Sequence, residues 1–369
     1  MKIILLTLLC SISISAFCQL SSVRNDLVDV PSALTISPDG ITSSDLSSLP
    51  TNTFLGFQGL PPNSTGACNT GVGYGSFFQN TTGNNNTALG YNTLHNNETG
   101  FYLTAIGANS LLNNTGSYNT AVGESALHDN TSGTYNSGLG TGSLFNCENG
   151  FSNTATGAYS MYYCESCSNN TSSGYGAIEK LISGSNNIGI GSLCGQTLTS
   201  GDKITLIGAG ADVSGPGLMN SSAFGYGAMI TGSNQIILGD ANITSIGGYA
   251  NFANVSDRRM KENIVYNRSL GLDFILALKT VKYTYKADHS KRERDGLIAQ
   301  DVQSLLAGKN ISFSGLIVDE NAEQTLRLSY DNFVIPLINA VQEQQEMIHE
   351  LKKQISTISQ EMASLSERL

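Results

Sequence analysis

Apolar and polar positions recur with a fixed period between about residues 51 and 250 of this 369-residue chain. Each repeat closes on a short motif such as NTALG or NTAVG, and nine of the eleven steps between successive closing glycines are seventeen residues long. A period of this kind is typical of a solenoid, in which each repeat forms one turn and buries its apolar side chains against its neighbours. The pattern therefore predicts a mainly β fold, a parallel β-solenoid shaft over residues 51–250.

Three columns of aligned positions define each turn. The residue before the closing glycine is apolar and predicts an inward-facing strand position. A second apolar column, four residues after the glycine, predicts a second short strand. An asparagine column, four residues before the glycine, predicts a structural ladder of stacked amides. In that order, the columns are Leu55, Val72, Leu89, Ile106, Val122, Leu139, Ile190, Ile207, Phe224 and Leu238; Leu60, Phe77, Leu94, Leu111, Leu127, Leu144, Met161, Ile178 and Met229; and Asn52, Asn69, Asn86, Asn119, Asn136, Asn153, Asn170 and Asn187.

The last segment, residues 331–369, has a different apolar pattern. Its apolar positions alternate steps of three and four, as in the a and d positions of a coiled coil, and isoleucine at both positions favours a trimer. One polar residue, Gln344, stands at a d position. A long helix with this pattern can instead pack on its own domain, but an unbroken seam over five heptads favours oligomerisation. The seam is Val334, Leu337, Val341, Gln344, Ile348, Leu351, Ile355, Ile358, Met362, Leu365 and Leu369.

Between the repeats and the heptads the composition changes. The repeat region has few charges, whereas residues 251–369 carry sixteen acidic and fifteen basic residues. The segment from Gly271 predicts a short helix and then a strand at 281–285, the segment from Asp295 predicts a strand and a helix ending at Gly308, and residues 314–333 predict a hairpin before a helix start. A small α+β domain is expected here.

Composition bounds the compartment and the partners. The net charge of −10 argues against nucleic acid, which needs a basic face. Residues 1–18 have a lysine, an apolar run and Ala16-Phe17-Cys18, which predicts a signal peptide cut after Cys18, then a linker at 19–50 and a secreted or cell-surface protein with no other membrane segment. A membrane anchor is disfavoured by the short apolar run. A lipid anchor on Cys18 is an alternative that the bulky Phe17 disfavours.

Export places the remaining cysteines in an oxidising compartment, where disulfides form. Cys147 and Cys164 both lie seven residues after their glycine, so adjacent turns stack them about 4.8 Å apart, within reach of a disulfide. Pairing of Cys164 with Cys167 is the competing interpretation. With one such pair and no nearby histidine, zinc is not expected.

The charged segment that follows the repeats contains a serine and a lysine five residues apart, Ser256 and Lys261. A serine hydroxyl becomes a nucleophile when a base removes its proton, and lysine can do so when burial or neighbouring cations favour its neutral form. Arg258 and Arg259 supply such cations. The alternative is structural, with Ser256 as a helix N-cap beside a solvated cationic turn.

The repeats resemble known trimeric fibres. Motifs such as NTALGYNTL (86–94) and NTAVGESAL (119–127) are similar to the left-handed parallel β-roll heads of YadA-type adhesins and to repeats of phage tail fibres. The resemblance covers residues 51–250 and implies a homotrimer of rolls packed side by side. A surface or glycan ligand would suit such a protein.

Three ordered motifs carry a second resemblance, SDRRMKENI (256–264), GLIAQDV (296–302) and SYDNFVIPLINAVQEQ (329–344). They resemble the intramolecular chaperone auto-processing domain of phage tail spikes, the endosialidase-type self-cleaving serine peptidases. The resemblance implies that Ser256 is the nucleophile, Lys261 the general base, and Val255–Ser256 the bond that is cut. Asn263 is a candidate for oxyanion support.

The expected function is therefore an exported trimeric fibre or adhesin whose domain at 256–330, with the coiled coil at 331–369, trimerises the chain and cleaves itself off. The cleavage would occur once in each chain, with no other substrate, no cofactor and no metal. The alternative is an adhesin that does not cleave, in which the C-terminal domain only trimerises the chain.

Overall fold

The computed structural model describes residues 34–37, 40–43, 52–55, 64–249, 253–286, 288, 290–319 and 324–367. The predicted signal peptide at 1–18 lies outside these residues, as do Leu60 and Leu369. The chain divides into two compact units, one ending at Gly201 and the other beginning at Asp202. Each unit is described by itself.

The first unit begins with an antiparallel pair and continues as a β-solenoid. The pair is β1 (Leu34–Ser37) with β2 (Gly40–Ser43). The strands that follow are β3 (Thr53–Leu55), β4 (Thr70–Val72), β5 (Thr87–Leu89), β6 (Thr104–Ile106), β7 (Thr120–Val122), β8 (Ser137–Leu139), β9 (Thr154–Thr156), β10 (Ser166–Ser168), β11 (Thr171–Ser173), β12 (Ser183–Ser185) and β13 (Ile188–Ile190).

Successive turns pair in parallel with the register that the period predicts. Thr70 of β4 lies beside Thr87 of β5, which in turn lies beside Thr104 of β6. The shorter step in the sequence is absorbed without loss of register, because Thr104 pairs with Thr120. The predicted fold class is thus confirmed. Residues 53–238 form a β-solenoid, and a small α+β region and a C-terminal helix follow it.

The inward face of each strand is not the one predicted. The middle residue of the strand is buried, as in Ala88, Ala105 and Ala121 at no more than 1% exposure, whereas the last residue faces outward, with Leu89 at 47%. Neighbouring strand residues point to opposite sides, so only one of the two can be inside. The apolar residue before the glycine therefore lines the outer surface, and the prediction of an inward position is wrong.

The second apolar column supplies the core, but from a turn and not from a strand. Leu94, Leu111 and Leu127 are fully buried, and their φ angles of 51°, 48° and 52° lie in the left-handed region. This backbone costs about 1–2 kcal/mol for an L-residue, and burying a leucine side chain contributes about 1.5–3 kcal/mol. The predicted second strand is wrong at these buried positions because the turn itself aims the side chain inward. At Met229 a strand (Met229–Ile230) is present, and the side chain is 42% exposed.

These large side chains explain why the middle strand residue is small. A Cβ added at Gly138 would lie 2.9 Å from Ser143 Oγ and 3.5 Å from Leu127 Cγ. At Gly189 it would lie 2.9 Å from Cγ2 of Ile178. Interiors are close-packed, so alanine, glycine or serine on the strand matches leucine or isoleucine on the turn.

The asparagine column forms the predicted buried ladder, and most of its bonds run to the backbone. Asn69 Oδ1 accepts from the Asn86 backbone N–H at 3.0 Å, and Asn69 Nδ2 donates to the Gly83 carbonyl at 2.9 Å. The same pair of bonds recurs at Asn136. Each amide thus satisfies a turn carbonyl and the N–H of the next turn, which buried backbone groups require.

A second ladder was not predicted from the sequence. Seven residues after the closing glycine, buried asparagine amides bond directly to each other: Asn97 to Asn80 at 3.3 Å, Asn114 to Asn97 at 3.0 Å and Asn130 to Asn114 at 2.7 Å. Cys147 and Cys164 continue this column. The interior thus changes from amide to sulfur along one line of the solenoid.

The closing glycines lie where the backbones of adjacent turns approach closely. Gly157 has φ +121°, and an added Cβ would lie 2.5 Å from the carbonyl oxygen of Gly174. No side chain fits at that separation, and the backbone angle itself favours glycine. This close backbone contact explains why a glycine recurs at the same position of successive repeats.

The second unit contains further solenoid turns and the α+β domain. Its solenoid strands are β14 (Gly201–Ile207), which begins at the boundary between the units, β15 (Asp212–Val213), β16 (Leu218–Phe224), β17 (Met229–Ile230) and β18 (Ile236–Leu238). The elements that follow are a 3-10 helix (Arg258–Met260), α1 (Leu272–Ala277), β19 (Val281–Tyr283), β20 (Arg294–Gly296), α2 (Ala299–Lys309), β21 (Leu316–Val318), β22 (Leu326–Leu328), a second 3-10 helix (Tyr330–Phe333) and α3 (Val334–Ser366).

The α+β domain matches the predicted elements closely. Strands β19 and β20 pair antiparallel, as do β21 and β22, so the predicted hairpin is present. Helix α2 ends one residue beyond the predicted Gly308, where Asn310 adopts the left-handed conformation and its N–H caps the helix. Phe274, Val302 and Phe333 are buried in its core with Phe313 packed against them.

Helix α3 packs on this core only near its start. Pro336 and Ala340 are its buried residues, whereas the heptad side chains are exposed, for example Val341 at 62%, Ile355 at 63% and Met362 at 66%. The alternative that the seam packs on its own domain therefore does not hold in this structure. No helix within the described ranges has the length and apolarity to cross a membrane.

Candidate functional site

Ser256 and Lys261 are brought together by one tight turn. The 3-10 helix Arg258–Met260 lies between them, and Lys261 is its C-terminal cap, with its N–H bonded to the Arg258 carbonyl at 3.2 Å. The chain thus folds back so that Lys261 Nζ donates to Ser256 Oγ at 2.8 Å. This is the geometry in which an amine can take the hydroxyl proton.

The N-cap of that turn is Asp257 and not Ser256. The Asp257 carboxylate accepts from the Arg259 backbone N–H at 2.8 Å and pairs with the Arg259 guanidinium at 2.6 Å. These bonds, the side-chain one first, hold the pKa of Asp257 below its usual value. The interpretation of Ser256 as the cap is therefore wrong, which leaves its hydroxyl available to Lys261.

All members of this segment are solvent-exposed in the isolated chain. Val255 is 78% exposed, and Ser256, Lys261 and Asn263 are exposed as well. Arg259 is paired with Asp257, so its charge is balanced within the turn. Burial, the factor that most strongly favours a neutral lysine, is thus not supplied by the segment itself.

Asn263 adopts a left-handed backbone, with φ 51°, two residues after the lysine. This conformation is uncommon outside glycine, although asparagine tolerates it better than most residues. Its role in oxyanion support stays a prediction, as do the catalytic roles of Ser256 and Lys261 and the cut at Val255–Ser256.

The segment after Lys261 is fixed to helix α3 by three polar contacts that sequence reasoning missed. Arg268 pairs with Glu346 at 2.9 Å, Asn339 Nδ2 donates to the Leu270 carbonyl at 2.9 Å, and Glu343 Oε2 accepts from the Leu272 N–H at 2.7 Å. The acceptor carboxylate caps the start of α1. Their partners lie about seventy residues apart in sequence, so no local pattern indicates them.

The cysteines pair in the competing arrangement. Cys164 forms a disulfide with Cys167, and Cys147 is a buried thiol, in place of the predicted Cys147–Cys164 bond. Burial raises the pKa of Cys147 to about 12. The Cys147–Cys164 bond would have to join two adjacent turns. Cys164 and Cys167 are only three positions apart in sequence, so their bond needs no alignment between turns.

No cluster of histidine, cysteine and acidic side chains suited to a metal ion occurs in the part of the chain that the structure describes.

Comparison with known proteins identifies one part of the chain. Residues 256–309 match the family model described as chaperone of endosialidase, a family of self-cleaving peptidases. Searches of curated proteins and of solved structures returned no significant match. The match begins at Ser256, contains Lys261, and ends at the last residue of α2. In sequence order, the β-solenoid is thus followed by a segment that matches the chaperone-of-endosialidase family model and then by a long helix.

Proposed function

We propose that this protein is an exported, trimeric, fibre- or adhesin-like molecule whose C-terminal domain is an intramolecular chaperone that cuts itself off at Val255–Ser256. The observation that carries the proposal is the 2.8 Å contact between Lys261 Nζ and Ser256 Oγ. It occurs at the start of the segment that matches the chaperone family. The solenoid would be a left-handed β-roll, and the signal peptide would direct the chain to the cell surface or outside the cell.

The chemistry follows from the two side chains. Lys261 Nζ accepts the proton of Ser256 Oγ as that oxygen attacks the Val255 carbonyl carbon. The peptide C–N bond breaks, the former amide nitrogen takes a proton, and an ester joins Val255 to the Ser256 side chain. Water then hydrolyses the ester, so the products are a carboxylate at Val255 and an amine at Ser256. Each chain acts once.

Trimerisation would supply what the isolated chain lacks. The exposed seam of α3 favours a three-stranded coiled coil. Arg268, Leu270 and Leu272 are tied to the first half of that helix. Assembly of three helices would therefore bring three dyad segments together and shield them from water, which favours the neutral lysine that the mechanism needs.

A templating trimer also answers a folding problem. The pairs within the solenoid connect residues seventeen apart, and the alignment of three chains is less local still. Non-local pairing is slow and prone to misassembly. Removal of the template after assembly would leave a shaft that is stable for kinetic reasons.

The second candidate is a surface adhesin whose C-terminal domain trimerises without cutting. The exposure of both Ser256 and Lys261 favours it, because an exposed lysine lacks the burial that favours its neutral form. In either case a surface or glycan ligand would bind the shaft.

Replacement of the base separates the two functions. We expect the Lys261→Met chain to stay full-length on a denaturing gel. The control is Lys279→Met, which removes an exposed lysine that follows α1 in sequence and is expected to be cut like the parent. Cutting of Lys261→Met at the parental rate would show that Lys261 is not the base. Absence of cutting in all three chains would favour the adhesin that only trimerises.

A further inference from the structure

A polar cluster joins the last turns of the solenoid to the α+β domain within the second unit. Asp319 follows strand β21, Arg327 lies in β22, and both face Thr231 and Gln235, which precede the final solenoid strand β18. The two sides of the cluster fall on opposite sides of the Val255–Ser256 bond. A contact here connects the two pieces that cleavage would produce.

The cluster is centred on a buried, hydrogen-bonded carboxylate. The Asp319 side chain is only 3% exposed, and its Oδ2 accepts from Thr231 Oγ1 at 2.7 Å and from Arg327 Nε at 2.9 Å. Arg327 also donates to the Thr231 hydroxyl and to Gln235 Oε1. A buried carboxylate is stable only when it is paired and hydrogen-bonded, and here the shaft provides one of its donors.

Thr231 is the link between the two sides. Its hydroxyl serves as donor to Asp319 and as acceptor from Arg327, and its backbone N–H donates to Gln235 Oε1 at 3.1 Å. One hydroxyl thus completes the hydrogen bonding of an ion pair from the other domain. If the hairpin moved away, Asp319 and Arg327 would exchange this partner for water.

We propose that Thr231 and Gln235 form a docking site for the β21–β22 hairpin, by which the C-terminal domain remains bound to the end of the shaft after the chain is cut. The occupant is this chain's own hairpin, held through the Asp319–Arg327 pair. In the trimer of the proposed function, three such sites would act together, and linked contacts hold far more tightly than a single one. The domain would then cap the fibre end as well as template it.

The test uses a chain that cannot cut itself, so that its outcome does not depend on the proposed cleavage. The full chain with Ser256→Ala receives a site-specific protease sequence after Gly248, in the exposed segment 241–249, where an insertion is tolerated. After complete cutting, size exclusion separates free from bound pieces. We expect the C-terminal piece to elute with the shaft.

Matched variants at one position assign the contact. Thr231→Val removes only the hydroxyl and is expected to release the C-terminal piece, whereas Thr231→Ser, which restores it, is expected to retain the piece. Thr156→Val, at an exposed strand position of the first unit, controls for the loss of a surface hydroxyl. Separation of the pieces in the unmodified background, or equal retention by Thr231→Val and Thr231→Ser, would overturn the proposal.

Discussion

At the scale of single residues, the solenoid interior depends on buried amides whose bonds connect successive turns. Asn119 is fully buried; its Oδ1 accepts from the Asn136 N–H at 2.9 Å and its Nδ2 donates to the Gly133 carbonyl at 2.8 Å. If Asn119 is removed, the Gly133 carbonyl still accepts from Asn130 Nδ2. The Asn136 N–H, by contrast, loses the Asn119 Oδ1 acceptor to which it is bonded. The acceptor is therefore the costly part to lose.

Replacement of Asn119 by alanine should destabilise the solenoid. A buried N–H left without a partner costs about 1–3 kcal/mol, and we expect the free energy of unfolding to fall by that amount in chemical denaturation. Asn149→Ala is the control, because Asn149 is exposed and surface changes stay within about 0.5 kcal/mol. Equal stability of both variants and the parent would contradict the role of the ladder.

Cys147 offers a second test at this scale. Its thiol is fully buried with a pKa of about 12, whereas Cys68 is exposed. Because the thiolate is the reactive form, iodoacetamide at pH 8 should alkylate Cys68 and spare Cys147 until the chain is unfolded. Peptide mass mapping before and after denaturation gives the result, and rapid native labelling of Cys147 would contradict the buried position.

The same pKa shift has a consequence for stability. In the unfolded chain the Cys147 thiol would ionise near pH 9, and in the folded chain only near 12. Between these values the folded state holds the proton and the unfolded state does not, so the stability contributed by Cys147 decreases as pH rises from 9 to 12.

Which residues face inward could be predicted only in part from the sequence. The asparagine column was identified because identical polar residues at a fixed period indicate stacking. The inward and outward strand positions were exchanged, because Ala88 or Ala121 is a weak apolar signal beside Leu89 or Val122. The left-handed turn that buries Leu94 has no signature in the residue type, since glycine or asparagine is expected there.

At the scale of elements, the long helix is the best-predicted part of the chain, since a heptad seam is a strong periodic signal. The seam is also an apolar surface of α3 that the described residues of this chain leave exposed. Ile355 and Ile358 are 63% and 55% exposed. Exposure of this kind marks an association surface.

A charge in the seam should prevent that association. We expect Ile355→Lys to convert the trimer to monomers in sedimentation velocity, because a lysine at a core position would have to be desolvated. Gln354→Lys places the same charge on the neighbouring exposed position and should leave the trimer intact. A parent chain that sediments as a monomer, or a variant that remains a trimer, would contradict the coiled coil.

The contacts between elements were beyond prediction from the sequence. The disulfide was narrowed to two alternatives because spacing permits both, and the choice depends on local turn geometry around Cys164. Likewise, the heptad pattern predicts Glu343 only as a surface residue of the long helix. Its 2.7 Å bond from the Leu272 N–H depends on the folded domain and has no sequence signal.

At the scale of the whole molecule, the chain contains a β-solenoid, a small α+β region and a long C-terminal helix. Its candidate dyad has the right distance but not the burial that lysine chemistry needs. Assembly would supply the burial, so the cut would report that three chains are in register. The family match at residues 256–309 supports this chaperone role.

Intact mass spectrometry of the purified protein shows whether the chain cuts itself before Ser256. Ser256→Ala removes the nucleophile, and Ser269→Ala, in the same exposed segment, is the matched control. We expect a fragment that begins at Ser256 in the parent and in Ser269→Ala, and only full-length chain in Ser256→Ala. A full-length parent in a sample that sediments as a trimer would contradict self-cleavage, and so would the same fragment arising from Ser256→Ala.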